Sequence, residues 1–422
     1  MGLALVLIYI ALNLLSPADL IPSLAPFRPL LMLALASLPL SLLARLGAPE
    51  IGKLRTQFAL VLLFFGFVSC SYIPHGWIGG TLAAFLEMAP NAIVYFVGLV
   101  QLRTPARLQL LRATLVMVAL IVMVAAFSEI GLVRSTGASS PYVMAGNILV
   151  NPNDVRIRGL GVLHDPNVFG QFLLMILPML FVSKRKAGLG PGYILAVPVA
   201  LLLIVGVYYT NSRGAEMGLA VLIGLYLSWR FKRVGAVGSV LVGGLGLVVV
   251  NATRSRTISM AGGVDRLAIW SEGMQFFKQS PVWGIGFGAY GDRSVMTAHN
   301  SYLLCAAELG IIGYWLWMSM ILVTIVQLSR LPKIIGEKNP ELARWAVALR
   351  LSLCVYMFTG FFLSRAYDLP LFMLLGMSGA VIAASGGDEA IPLRGSGWPL
   401  WSAGLCVAVL AGIYAMLRLR AF

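Results

Sequence analysis

The sequence is short of charge. Only 11% of its 422 residues are Asp, Glu, Lys or Arg, while 59% are hydrophobic. Soluble domains carry about 25% charged residues, so an ordinary water-soluble globule is excluded. Acids are the scarcer sign, 16 against 31 basic residues. No GxxxxGK[ST] stretch is present, which removes a nucleotide-hydrolysing engine. Cys70, Cys305, Cys354 and Cys406 show neither pairing pattern nor metal-ligand spacing and lie in or beside apolar stretches, where a free thiol behaves as a small hydrophobe. Asp154, Asp165, Asp265, Glu272, Asp292 and Asp368 are too scattered for a divalent-metal cage. Neither a metal nor another cofactor is expected. No internal repeat or low-complexity segment interrupts the chain.

What is present is a series of apolar runs, each long enough to cross a bilayer at about 20 residues. They cover 3–20, 28–45, 56–73, 80–100, 113–131, 166–183, 193–210, 215–229, 234–250, 303–328, 345–363, 370–385 and 398–416. The runs do not alternate apolar and polar residues, which excludes a β-barrel. The first lacks a small-residue cleavage site and reads as an uncleaved helix. The expected fold is therefore an all-α polytopic membrane protein, a single integral membrane domain over 1–422, with twelve or thirteen spans.

The net charge of +15 invites a nucleic-acid reading, but the placement of the charges argues against one. Arg45, Lys53 and Arg55 share one loop; Arg103, Arg107 and Arg112, then Lys184, Arg185 and Lys186, then Arg230, Lys232 and Arg233, then Arg330, Lys333, Lys338 and Arg344 occupy alternate loops. Alternation puts them on one side, the cytoplasm. Thirteen spans would leave the basic C-terminal "RLRAF" on the other side, so either 398–416 stops short of crossing or an early span is a hairpin.

Two long loops then face outward, 132–165 and 251–302, against a usual connection of about 4–6 residues. Within "VDRLAIWSEGMQFFKQSPVWG", Leu267, Trp270, Met274 and Phe277 recur at helical spacing, with Asp265 placed to cap the start and Pro281 to end it. An amphipathic helix near the outer boundary is expected. The "GIGFGAYG" that follows has no strand-turn-helix setting and reads as a flexible turn.

Arginine dominates the outer side: Arg134, Arg156, Arg158, Arg213, Arg254, Arg256, Arg266, Arg293 and Arg365, with Lys278 the single lysine. A planar guanidinium grips phosphate oxygens two at a time, so the bias fits an anionic, phosphate-bearing ligand. Each arginine alone fits a solvated loop charge equally well. Arg213 stands in a very short turn, Arg266 at a helix start where the backbone also attracts anions, and Arg156 and Arg158 just before the sixth span. His299 stands where the longest outer loop meets a span; a neutral imidazole there can take a proton from a hydroxyl. Asn300 is placed to hold it or a sugar. His164 competes for the role but reads as part of a helix-start turn with Asp165 or Asn167 as cap. His75, beside Trp77, reads as interfacial. Glu87 inside a span is either a proton relay or a neutral, hydrogen-bonded group.

The successive stretches "NSRGAEMG", "DRLAIWSEGMQFFKQSPVWGIGFGAYG" and "AHNSYLLCAAELGIIGYWLW" resemble the signatures of the O-antigen ligase and polymerase superfamily, in order and spacing, over residues 150–320. The resemblance implies a GT-C-like glycosyltransferase of the bacterial inner membrane, with 132–165 and 251–302 forming a helical periplasmic cover over the active site. It implies an undecaprenyl-diphosphate-linked glycan donor and a lipid A-core acceptor, both lipid-borne, with no nucleic acid. It assigns the diphosphate to Arg213 and Arg266, with Arg158 and Arg156 as helpers, the base to His299, and further substrate contacts to Asn300 and Tyr302. Direct displacement would invert the anomeric carbon. A chain polymerase of the same superfamily fits the same residues. A lipid-linked-sugar flippase would require charge in the middle of the spans, which apart from Glu87 and Arg350 are nearly free of it.

Overall fold

The structure, a computed structural model, describes residues 2–21, 49–146, 154–182, 191–231, 266–393 and 395–419, with isolated positions at 23, 32–33, 39 and 43. Among the described residues, six helices are long and apolar enough to span a bilayer: Thr56–His75, Ile78–Gln101, Pro105–Thr136, Ser301–Ile335, Pro340–Gly360 and Trp398–Leu419. Gly2–Leu15, Pro166–Leu180, Ile194–Tyr209 and Leu369–Ala384 are shorter apolar helices, and residues 213–231 form another. An all-α multi-pass membrane protein is what these helices support. The expected span 234–250 and nearly all of 28–45 lie outside the described residues, as do Asp265, Arg254 and Arg256.

The helices start where the local chemistry allows. Proline occupies the first turn of Pro105–Thr136, Pro166–Leu180 and Pro340–Gly360, where its missing N–H costs nothing. Thr104, Asp165 and Asn339 cap those starts with their side chains. Pro105–Thr136 overshoots the expected 113–131 at both ends, because 32 residues at about 1.5 Å per residue span more than a bilayer core of about 30 Å. Its surplus turns carry Arg107 and Arg112 at one end and Arg134 at the other.

Ser301–Ile335 is the central pillar, packed against Thr56–Ser69, Pro340–Gly360, Trp398–Leu419 and the amphipathic Arg266–Gln279. Leu369–Ala384 is buried on nearly every face, as a helix apolar all round should be, and lies chiefly against Ile78–Gln101.

Hydrogen bonds and ion pairs sort the connections to two ends. At one end Arg103 pairs with Glu50, Gln109 bonds Glu341, Arg112 donates to the carbonyls of Met179 and Val182, and Lys53 pairs with Glu389. Asp388 there accepts from the Thr56 backbone N–H at 2.8 Å and from Gln327 at 2.8 Å, capping a helix more than 300 residues away in sequence. At the other end Gly161 N–H donates to Asp19, His75 lies 2.9 Å from the Gly284 carbonyl, and Asn211 donates to Asp154. Lys278 sits 4.7 Å over the Tyr414 ring, so the last helix runs its C-terminal end back to the end that carries the amphipathic helix.

The 132–165 segment, where described, departs from the helical cover expected of it. Val143–Ala145 and Val155–Ile157 pair antiparallel. Val143, Val155 and Ile157 point inward, and β-branched side chains at alternate positions suit a half-buried ribbon. Ser139 and Ser140 accept the N–H groups of Ala145 and Val143, which turns the ribbon back over the end of the preceding helix.

Candidate functional site

Loops 164–165, 299–300 and 364–368 meet at the end opposite the basic loops. The His299 backbone N–H donates to Ser364 Oγ at 2.7 Å. Ser301 Oγ donates to the Leu363 carbonyl at 2.6 Å and accepts from the Arg365 N–H at 2.9 Å. Asp165 and Asn300 each cap a helix: Asp165 accepts from Asn167 and Val168 N–H, Asn300 from Tyr302 and Leu303 N–H at 3.0 Å. Asp368 stands at the start of a third helix, paired to Arg365 at 3.1 Å. Three helix N-termini, the positive ends of their dipoles, thus gather around His299.

His299 is half-buried and takes φ 46°, a left-handed conformation uncommon outside glycine. Its imidazole is held below the ordinary histidine range, first by burial, then by the Arg266 charge; Asp165 opposes the shift. Arg266 therefore lies within electrostatic reach of the ring. The reason is local. Arg266 and Trp270 are four residues apart on one face of Arg266–Gln279, and Trp270 Nε1–H donates to the Ala298 carbonyl at 2.9 Å. The same helical face that carries Arg266 pins the residue before His299. The Trp270 ring meets Phe361 edge-on at 5.4 Å, locking the helix to the 360s loop.

Arg213 arrives by another route. Ser212 caps the 213–231 helix through Ala215 N–H, so Arg213 is its first residue, and it is exposed. A Cβ on Gly214 would sit 3.2 Å from Phe362 Cβ. The serine-arginine-glycine turn thus rests on Phe362, adjacent to the residues that bond His299 and Ser301.

The remaining predicted residues have other attachments. Arg158 donates to the carbonyls of Pro141 at 3.2 Å and Ser140 at 3.0 Å, folding its guanidinium onto the ribbon. Arg156 lies 3.5 Å from Asp154, which also holds Asn211 two residues before Arg213. Tyr302 is buried among Trp317 and Phe361, its hydroxyl bonded to the Met357 carbonyl at 2.8 Å. Asn300 is wholly buried, its oxygen spent on the cap. His164 Nδ1 donates to the Gly161 carbonyl at 2.8 Å, part of the helix-start turn expected for it. Among the described residues no three His, Cys, Asp or Glu side chains gather as metal ligands.

The glycine-rich 284–288 stretch is no flexible turn. The Ser301–Ile335 helix breaks at Gly310, φ 63°. The carbonyls of Ala307 and Glu308, left without helical partners, accept the N–H groups of Ile285 and Gly286, each at 3.0 Å, and Ile311 N–H donates to the Pro281 carbonyl at 2.8 Å. The backbones interlock so closely that a Cβ on Gly284 would lie 2.2 Å from the Glu308 carbonyl and one on Gly310 2.3 Å from the Val282 carbonyl. Only glycine fits both places. Glu308, passed over in the sequence, is buried at this junction and accepts Tyr290 N–H at 3.1 Å. Like Glu87, it is a single acid inside an apolar run, and that placement was the sequence signal available for it.

Comparison with known proteins covers this same region. Residues 198–318 match the family described as O-antigen ligase. Arg213, Arg266, His299 and the glycine interlock all fall inside that segment; Arg156 and Arg158 fall before it. The exopolysaccharide production protein ExoQ of Rhizobium meliloti (strain 1021) is 28% identical over 130 residues, which span 26% of this chain and 28% of that protein. The matched segment holds the serine-arginine-glycine turn, the arginine-tryptophan helix and the histidine-led span, and over that segment the chain is similar to the O-antigen ligase family.

Proposed function

We propose that this protein is a multi-pass transferase of the bacterial inner membrane that moves a glycan from undecaprenyl diphosphate to the lipid A-core at its periplasmic end. Arg213 and Arg266 hold the diphosphate and offset the charge that grows on it as the glycosidic bond breaks. His299 takes the proton from the acceptor hydroxyl. The hydroxyl oxygen attacks the anomeric carbon from the face opposite the leaving group, and the bonding pair departs with the diphosphate, so the anomeric configuration inverts. Arginine and imidazole supply the charge and the base, and the reaction calls on no metal. Arg156 and Arg158 shape the ribbon beside Arg213.

The observation that carries this reading is the shared anchoring of Arg266 and His299: one helix face presents the arginine and, through Trp270, fixes the residue before the histidine. The test is to incubate purified protein with a lipid-diphosphate-linked glycan and two acceptors, lipid A-core and a second carrier-linked glycan. Glycan on the lipid A-core supports the ligase; no product on either acceptor overturns the proposal. A chain polymerase is the second reading, favoured by the likeness to a protein named for exopolysaccharide production, and the same assay would show it as a lengthened glycan still on its carrier.

A further inference from the structure

The transfer described above leaves Glu308 without a task. Its side chain is 2% exposed, and among the described residues no cation pairs with it. Burying a carboxylate away from a counter-charge is costly unless hydrogen bonds compensate. The glycine turn supplies the observed hydrogen bond: Tyr290 N–H donates to Glu308 Oε1 at 3.1 Å. The same turn packs on the 364–368 segment through the rings of Phe287 and Tyr367, centroids 4.9 Å apart; among the described residues the Tyr367 hydroxyl and Glu308 Oε2 have no hydrogen-bond partner.

Both segments lead to His299. Tyr290 donates its hydroxyl to the Ile269 carbonyl at 2.8 Å and packs edge-on against Phe276 at 5.3 Å. The next residue, Trp270, holds the Ala298 carbonyl. On the other side, three residues before Tyr367, Ser364 accepts the His299 N–H. The carboxylate holds the turn from which both supports of the histidine lead, two residues before the break at Gly310.

We propose that Glu308 is a positioning residue of the transfer centre: it holds the 286–290 turn, which itself packs on the 364–368 segment, and thereby sets His299 against Arg266. This rests on the reading of His299 as the base. It acts as a hydrogen-bond acceptor, not as a proton carrier, and this distinguishes its variants. Glu308→Gln keeps an oxygen for Tyr290 N–H, so transfer stays within about threefold of the parent. Glu308→Ala removes the tie and lowers kcat by roughly 100-fold, as a misplaced base does, with a smaller change in KM for the donor.

A second readout does not depend on turnover. The rate at which diethyl pyrocarbonate modifies the peptide containing His299, followed by mass spectrometry across pH, reports the titration of that imidazole. In Glu308→Ala the titration moves up toward the ordinary histidine range as the ring loses its buried placement beside Arg266; in Glu308→Gln it stays with the parent. A protein that merely folds less well loses amplitude without moving the titration. Should Glu308→Ala fail to fold, Tyr290→Phe, which removes only the bond to Ile269, gives the same shifts in smaller measure. Parental kcat and parental titration in Glu308→Ala overturn the proposal, and so does a Glu308→Gln variant as impaired as Glu308→Ala. If the parent itself transfers no lipid-linked glycan, the functional reading fails, while the His299 titration still decides the coupling to Glu308.

Discussion

A base works only in its unprotonated form, and at the residue scale that sets the pH behaviour of the site. Burial and the Arg266 charge hold the His299 imidazole below the ordinary histidine range. Transfer should therefore persist to lower pH than a solvent-exposed histidine would allow, and fall only as pH drops through the depressed value. Removing the charge in Arg266→Ala should move this acidic limb upward and also lower kcat, as a pH–rate profile of kcat/KM would reveal. His299→Ala should lose about 100- to 10,000-fold in kcat while remaining folded in the membrane, since the His299 contact given to the fold is a backbone N–H that alanine keeps. His299 and the two arginines were put forward from the sequence because polar groups of this kind at the lip of an apolar run are rare and have to be accounted for. The attachments of Arg158 and Tyr302 were not, because a backbone carbonyl from a distant loop has no sequence signature.

At the element scale the unit to consider is a broken helix with a glycine turn docked in the break. Gly310→Ala places a Cβ 2.3 Å from the Val282 carbonyl in a left-handed backbone. It should cost at least about 2 kcal/mol, measured as a lowered unfolding midpoint in detergent, and should loosen the turn that leads to His299. Trp270→Phe keeps the ring but strands the Ala298 carbonyl, a loss of about 1–3 kcal/mol for a buried acceptor, and activity should fall further than stability alone explains. The amphipathic helix itself was readable from the spacing of Trp270 and Met274, both buried as expected. The glycine turn was readable only as a turn. Its rigidity comes from carbonyls that the Gly310 break exposes, and helical periodicity does not announce a break inside an unbroken apolar run.

At the scale of the whole molecule the two ends of the bundle do separate work. Asp388 fastens the starts and ends of helices at the basic end, far from His299. Asp388→Ala should lower thermal stability by about 1–2 kcal/mol, the usual loss for a cap, and leave kcat unchanged. A fall in kcat matching that of His299→Ala would show instead that the ends are coupled. Treatment with a chelator should leave glycan transfer intact; activity lost to chelation and restored by a divalent ion would count against arginine and imidazole as the sole catalytic charges.

Composition and periodicity by themselves determined that this chain lives in a membrane as helices and that its basic loops share one end, because a bilayer demands long apolar runs and internally bonded backbone. They also determined which residue types could grip a phosphate and take a proton. Only the tertiary structure decided which of those residues stand together. It joined the helix of Arg266 to the residue before His299 through one indole hydrogen bond, tied Arg158 to a β-ribbon that apolar spacing had not foretold, and set Glu308 against the turn that leads to the histidine. The physical reason is that spans and helix faces follow from local chemistry, whereas a site is made by contacts between segments tens to hundreds of residues apart, and those form only once the helices pack.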